Sequence, residues 1–200
     1  MKSSCIFLIC VLFILTAFRP VEAGLEIGAP IPKSEVKLHD ISGREITLNA
    51  ARGSNGLLVM FSGNRCPYVV RNQGRTTNIC AYALKHQVGV ILINSNIALQ
   101  GGEESLENMQ AYAAQQQYTW FYVVDKKAEI ADAFDAGHTP ECFLFDKNGR
   151  LSYKGAIDDN PGNAEAVKVQ HLLNALNDML AGKPVKVSTS STMGCNIKRF

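Results

Sequence analysis

LLVMFSGNRCPYVV, residues 57–70, changes character twice within a short span. Residues 57–61 form an unbroken apolar run of strand length, the pattern of a strand buried on both faces. The polar corner Ser62, Gly63, Asn64, Arg65 ends it. Pro67 then falls where a helix can begin, because its missing N–H costs nothing at the first helical position and its fixed φ suits the helix. Cys66 therefore stands at a helix N-terminus, where orphan N–H groups and the positive end of the dipole favour a thiolate. The residues that announce a strand, corner and helix thus place a candidate nucleophile at the corner's mouth.

Upstream, residues 1–23 read as a signal peptide: Lys2 is a minimal positive start, CIFLICVLFILTAF is an apolar run, and Val21-Glu22-Ala23 ends in small residues suited to cleavage. The apolar run is short for a bilayer span. The expected mature protein is exported, periplasmic or secreted, with no stable membrane insertion after cleavage. Removing Lys2, Arg19 and Glu22 from the 20 basic and 18 acidic residues leaves a near-neutral chain without a basic stripe, which argues against nucleic acid as a ligand. Residues 24–182 are expected to form one domain, and residues 183–200 a polar, flexible tail carrying Cys195.

Between these bounds the pattern alternates. Residues 36–39 and 45–48 read as an N-terminal β-hairpin around Ser42-Gly43. The helix opened by Pro67 is predicted to reach about His86, with Gly74 a weak point. Residues 88–93 and 120–124 read as buried-type strands, residues 103–117 as a helix between them, and residues 126–134 as a short helix for which Asp125 can supply a cap. Strands over residues 142–145 and 151–156 flank the Asn148-Gly149 turn. A final amphipathic helix is expected over residues 164–180, stopped by Gly182 and Pro184. This order predicts an α/β fold with a central mixed sheet covered by helices on both faces, and function beyond the carboxyl ends of its strands.

The mature chain keeps Cys66, Cys80, Cys142 and Cys195. An even count in an exported chain permits disulfides. Cys66 and Cys80 on one continuous helix are separated by about 21 Å of rise, far beyond the roughly 7 Å that a disulfide tolerates, so Cys80 reads as a packing residue. Cys142 sits in an apolar strand, where packing is its simpler role. Cys195 lies on a polar tail beside Gly194, which makes it the candidate to resolve an intermediate formed on Cys66. The pairing of Cys66 with Cys195 or with Cys142 stays open at this level.

Several segments, taken in order, resemble one family: IGAPIP and LHDISGREITL, the corner FSGNRCPYV, the strand end INSN, the loop HTPECFLFDKNGRLSYKGAIDDN and the tail GCNIK. Together they resemble the thioredoxin-like superfamily, specifically redoxins of the alkyl hydroperoxide reductase and thiol-specific antioxidant type. The resemblance implies a thioredoxin-like fold with an N-terminal hairpin extension, Cys66 as nucleophile, Pro140 as the cis-proline facing it, and Thr139 and Pro140 flanking a substrate groove. It implies a thiol oxidoreductase acting on a peroxide or a protein disulfide, with a dithiol protein as electron donor and no cofactor or bound metal. The GCNIK tail recurs in such redoxins.

The chain also departs from the family. Val69 stands where thioredoxins place their second cysteine, and Gly63 where close redoxins carry a cysteine ahead of the nucleophile. Arg65 replaces a histidine there, and His138 occupies a place where some relatives have cysteine. Val59 and Gly63 replace the proline and threonine of the peroxiredoxin pattern Pro-x-x-x-Thr-x-x-Cys. The supporting candidates are Arg65 as a cation lowering the Cys66 pKa, His138 as a proton carrier, and Pro67 and Tyr68 at the groove, Tyr68 as a rim aromatic. Two alternatives compete: a Cu(I)-type metal-binding module built from Cys66, His138 and Cys195, and a noncatalytic binding domain.

Overall fold

A computed structural model describes residues 24–200; the expected signal peptide lies outside the described residues. In chain order the elements are β1 (Leu38–Asp40), β2 (Glu45–Ile46), β3 (Gly56–Phe61), α1 (Pro67–Lys85), β4 (Val88–Asn94), α2 (Leu106–Gln115), β5 (Phe121–Val124), α3 (Glu129–Phe134), β6 (His138–Thr139), β7 (Glu141–Phe145), β8 (Leu151–Gly155), α4 (His171–Leu180) and β9 (Cys195–Asn196). The main sheet runs β2-β1-β5-β4-β3-β7-β8, and β6 pairs separately with β9. Strands β3, β4 and β5 are parallel neighbours, whereas β7 and β8 add antiparallel pairs on one side and β1 and β2 on the other. This is the mixed, doubly covered sheet of the thioredoxin-like fold.

Strand β3 is buried along its whole length because helices cover both faces. Successive side chains of a strand point to opposite sides. Leu58 and Met60 accordingly pack into a layer with Ile79, Cys80 and Ala83 of α1, Met109 of α2 and Leu176 of α4. Leu57, Val59 and Phe61 face the other layer with Ile130 and Phe134 of α3. Phe61, Phe134 and Phe143 meet edge to face there, the arrangement that aromatic quadrupoles favour.

Helix α1 starts with Pro67 in its first turn and buries Val69, Asn72, Thr76, Ile79, Cys80 and Ala83 at helical spacing. Gly74 lies on its exposed side, and a Cβ there would meet no neighbour within 4 Å. The helix absorbs this glycine without a break. Gly74→Ala is expected to stabilise the fold by about 0.5–1 kcal/mol, since alanine loses less backbone entropy in a helix; a midpoint rise in urea unfolding at constant slope checks this.

Helix boundaries differ from the sequence pattern. The last helix begins at His171, preceded by only a 3-10 turn over Ala164–Ala166. Asp159 takes one donor and one acceptor that a longer helix needs: Lys168 N–H donates to Asp159 Oδ1 at 2.9 Å, and the Val169 carbonyl accepts the Asp159 N–H at 3.1 Å. Such local bonds compete with helix formation. Helix α3 begins at Glu129, with Ala128 rather than Asp125 at its cap position. Asp125 still serves the end of this helix, because its Oδ2 accepts from the N–H groups of Ile130 and Ala131.

Candidate active site

The site is built where β3 ends and α1 begins. Cys66 is the N-cap residue of α1, with extended backbone and no side chain capping the helix. Pro67 has no N–H to offer, and the N–H groups of Tyr68 and Val69 have no acceptor within the helix. Those donors and the helix dipole favour negative charge at this end. Cys66 itself is only 6 % exposed.

Its sulfur is joined to Cys195 in a disulfide with a Cα–Cα separation of 5.9 Å, inside the usual range for such a bond. Cys195 lies on β9, directly opposite Thr139 in the antiparallel pair with β6. The Thr139-Pro140 peptide is cis. Cys66 Sγ is 3.0 Å from the Thr139 carbonyl oxygen. In the disulfide this sulfur carries no hydrogen, but a reduced Cys66 thiol has an acceptor in place. Both sulfurs thus lie beside the cis Thr139-Pro140 peptide.

The tail reaches this place by close backbone packing. Gly155, at φ 141°, faces the backbone of Ser190, and a Cβ on Gly194 would collide with the Thr139 carbonyl. Glycine is required at both points of approach, and at Gly155 by its backbone conformation as well. Ser190 Oγ accepts the Ala156 N–H at 2.9 Å and contacts the Tyr153 hydroxyl at 2.7 Å. Beyond Cys195, the Ile197 side chain is buried and its N–H donates to the Gly137 carbonyl. Lys198 N–H donates to Asn96 Oδ1 at 3.0 Å, and Arg199 pairs with Asp132 and the Ala136 carbonyl. The segment expected as a flexible tail is therefore, in this structure, strapped to the domain on both sides of its cysteine.

Beneath the corner lies a carboxylate that nothing in the sequence distinguishes from its neighbour. Glu104 is 1 % exposed. Its oxygens accept from Asn64 N–H at 2.8 Å, Arg65 N–H at 3.1 Å and Asn94 Nδ2 at 2.7 Å. The Tyr122 hydroxyl, pushed up in pKa by burial and then by the Glu104 charge, donates to Asn64 Oδ1 at 2.8 Å. A buried charge held by three donors fixes the loop that carries Cys66. A Cβ on Gly63 would crowd Asn96 Nδ2 and Glu104 Oε1. These neighbours thus fill the space that a side chain at residue 63 would need.

The remaining candidates fall in different places. Arg65 is exposed, and its guanidinium pairs with Glu103 at 3.3 Å, so its charge is committed to a surface ion pair. Such pairs contribute little. The half-buried Tyr68 lies under the Arg71 guanidinium at 5.9 Å, and Pro67 is exposed. His138 Nδ1 faces Thr192 Oγ1 of the tail at 3.3 Å. Cys80 and Cys142 are free and fully buried, and burial pushes both thiols up in pKa. Among the described residues, no group of three or more His, Cys, Asp or Glu side chains is placed to hold a metal ion.

Residues 27–154 match the model of the AhpC/TSA family; the match contains Cys66 and stops short of Cys195. The thiol-disulfide oxidoreductase ResA of Geobacillus thermodenitrificans is 28 % identical over 134 residues, which cover 67 % of this chain and 71 % of that protein. The crystal structure of a hypothetical protein from Sinorhizobium meliloti 1021 is 34 % identical, with a TM-score of 0.80 over 89 % of this chain and 97 % of the other. That of an uncharacterized conserved protein from Geobacillus kaustophilus is 31 % identical, with a TM-score of 0.80 over 87 % and 92 %. With a family match over more than half its length, the chain belongs to the AhpC/TSA family of thioredoxin-like redoxins.

Proposed function

We propose that this protein is an exported thiol oxidoreductase in which Cys66 attacks a peroxide or a disulfide and Cys195 resolves the product. The single observation that carries the reading is the bond between Cys66, buried at a helix N-terminus, and Cys195, set opposite Thr139. With a peroxide, the Cys66 thiolate attacks one oxygen, the O–O bond breaks, and the departing oxygen takes a proton as water or an alcohol. Cys66 becomes a sulfenic acid, and Cys195 displaces water from it to form the disulfide. With a disulfide substrate, Cys66 first forms a mixed disulfide and expels one thiolate; attack by Cys195 on Cys66 Sγ expels the other. A dithiol protein then returns two electrons. Export is supported by residues 1–23 and by a site whose chemistry suits an oxidising compartment. No helix among the described residues is long and apolar enough to cross a membrane.

The test is a thiol count. Reduced, signal-cleaved protein receives one equivalent of hydrogen peroxide or, separately, of oxidised glutathione, and the thiols remaining on the protein, freed of small molecules by gel filtration after an acid quench, are counted with time. The reading expects two thiols lost per equivalent, Cys66 and Cys195, with the faster oxidant naming the substrate class. Unchanged thiols with both oxidants contradict it.

A further inference from the structure

We infer that reducing equivalents enter at Cys195 Sγ and not at Cys66: an incoming thiolate opens the disulfide at the tail sulfur while the tail remains seated on β6. This rests on the two-cysteine reading above and adds the point and direction of electron entry.

Access is the first reason. A thiolate attacks a disulfide sulfur along the line of the S–S bond, from the side away from the leaving sulfur. Attack on Cys66 must therefore come from behind Cys66, which is 6 % exposed and has the Thr139 carbonyl oxygen 3.0 Å from its sulfur. Attack on Cys195 comes from behind Cys195, which is partly exposed, and Met193, two residues away, is 60 % exposed.

The leaving group is the second reason. Exchange is faster when the departing thiol has the lower pKa. Cys66 departs into the free N–H groups at the start of α1, whereas Cys195 has no comparable helix end.

The third reason is the strap. Ile197 N–H on the Gly137 carbonyl, Lys198 N–H on Asn96, the Ala98 N–H on the Lys198 carbonyl, and the Ala156 N–H on Ser190 Oγ are all made by groups other than the two sulfurs. The edge of β6 thus stays covered once the disulfide opens, and an incoming partner meets the tail first.

The step balances as follows. The donor thiolate forms a bond to Cys195 Sγ, the Cys66–Cys195 bond breaks, and its electron pair leaves on Cys66 as a thiolate. The donor's second thiolate then attacks the donor sulfur of the mixed disulfide, Cys195 leaves as a thiolate and takes a proton, and the donor is released as a disulfide.

Reduced glutathione serves as the probe. Oxidised, signal-cleaved protein is mixed with excess glutathione, sampled over a time course into N-ethylmaleimide at mildly acidic pH, and digested for peptide mass mapping. The expected early product carries glutathione on Cys195 and the maleimide on Cys66, at least tenfold over the reverse arrangement. Glutathione on Cys66, an even division between the two, or opening of the disulfide with no Cys195 adduct at any time overturns the inference. A failure of the two-cysteine reading itself shows separately, as reduced thiols that neither peroxide nor oxidised glutathione consumes.

Discussion

Cys66→Ser is expected to bring oxidant consumption down to the uncatalysed background, a fall of roughly 10³-fold or more by the scale seen when other enzymes lose their nucleophile. Cys195→Ser is expected to behave differently. Its Cys66 still has the helix N-terminus and the Thr139 carbonyl beside it, so one equivalent of oxidant reacts and the cycle then stops at a sulfenic acid or a mixed disulfide. Single-turnover and steady-state assays with a dithiol donor separate the two variants. Cys142→Ala keeps both phases, because burial holds that thiol protonated and out of reach. Equal loss of the first turnover in Cys66→Ser and Cys195→Ser would contradict the division of roles.

Arg75→Ala is expected to destabilise the fold by about 3 kcal/mol, the scale for stranding a buried charge after its partner is removed. Arg75 projects from α1 and pairs with Asp158, whose side chain is 3 % exposed. It also donates to the Asn160 and Pro161 carbonyls, while Asn72, one turn earlier, donates to Pro161 at 3.0 Å. One face of the helix that begins at Cys66 therefore clamps the loop after β8. The melting temperature of the variant should fall by roughly 6–12 °C for a domain of this size. Arg75→Met with Asp158→Leu removes both charges and should recover most of the loss, as replaced ion pairs elsewhere do. A single variant of unchanged stability would show that the pair is not coupled to folding.

The parts of this molecule that were legible in its sequence are those in which local chemistry and tertiary context agree. Pro67 marks the start of α1, and the apolar run before it becomes a strand buried on both sides. Asn148-Gly149 marks the β7–β8 turn, with Gly149 at φ 71°. Distance along a helix was enough to remove Cys80 from the chemistry. What was not legible depends on approaches between distant segments. Gly155 and Gly194 look like ordinary turn glycines, and only the folded chain shows that each receives another backbone. Glu103 and Glu104 are adjacent and alike, yet one pairs with Arg65 in solvent while the other is buried under the corner. The serine- and threonine-rich tail has a loop's composition, but its hydroxyls and backbone groups find partners on β8. The amphipathic spacing after residue 164 suited a helix, but Asp159 engages the Lys168 N–H and the Val169 carbonyl.

The central claim is a redox cycle confined to Cys66 and Cys195. Denaturing alkylation of the exported, signal-cleaved protein without reductant, followed by peptide mass mapping, tests it most directly. The expected result is a Cys66–Cys195 bridge with Cys80 and Cys142 alkylated, lost on treatment with a dithiol and restored by peroxide or by a disulfide. Four alkylated cysteines that remain free after both oxidants, or a bridge from Cys66 to Cys142, would contradict it.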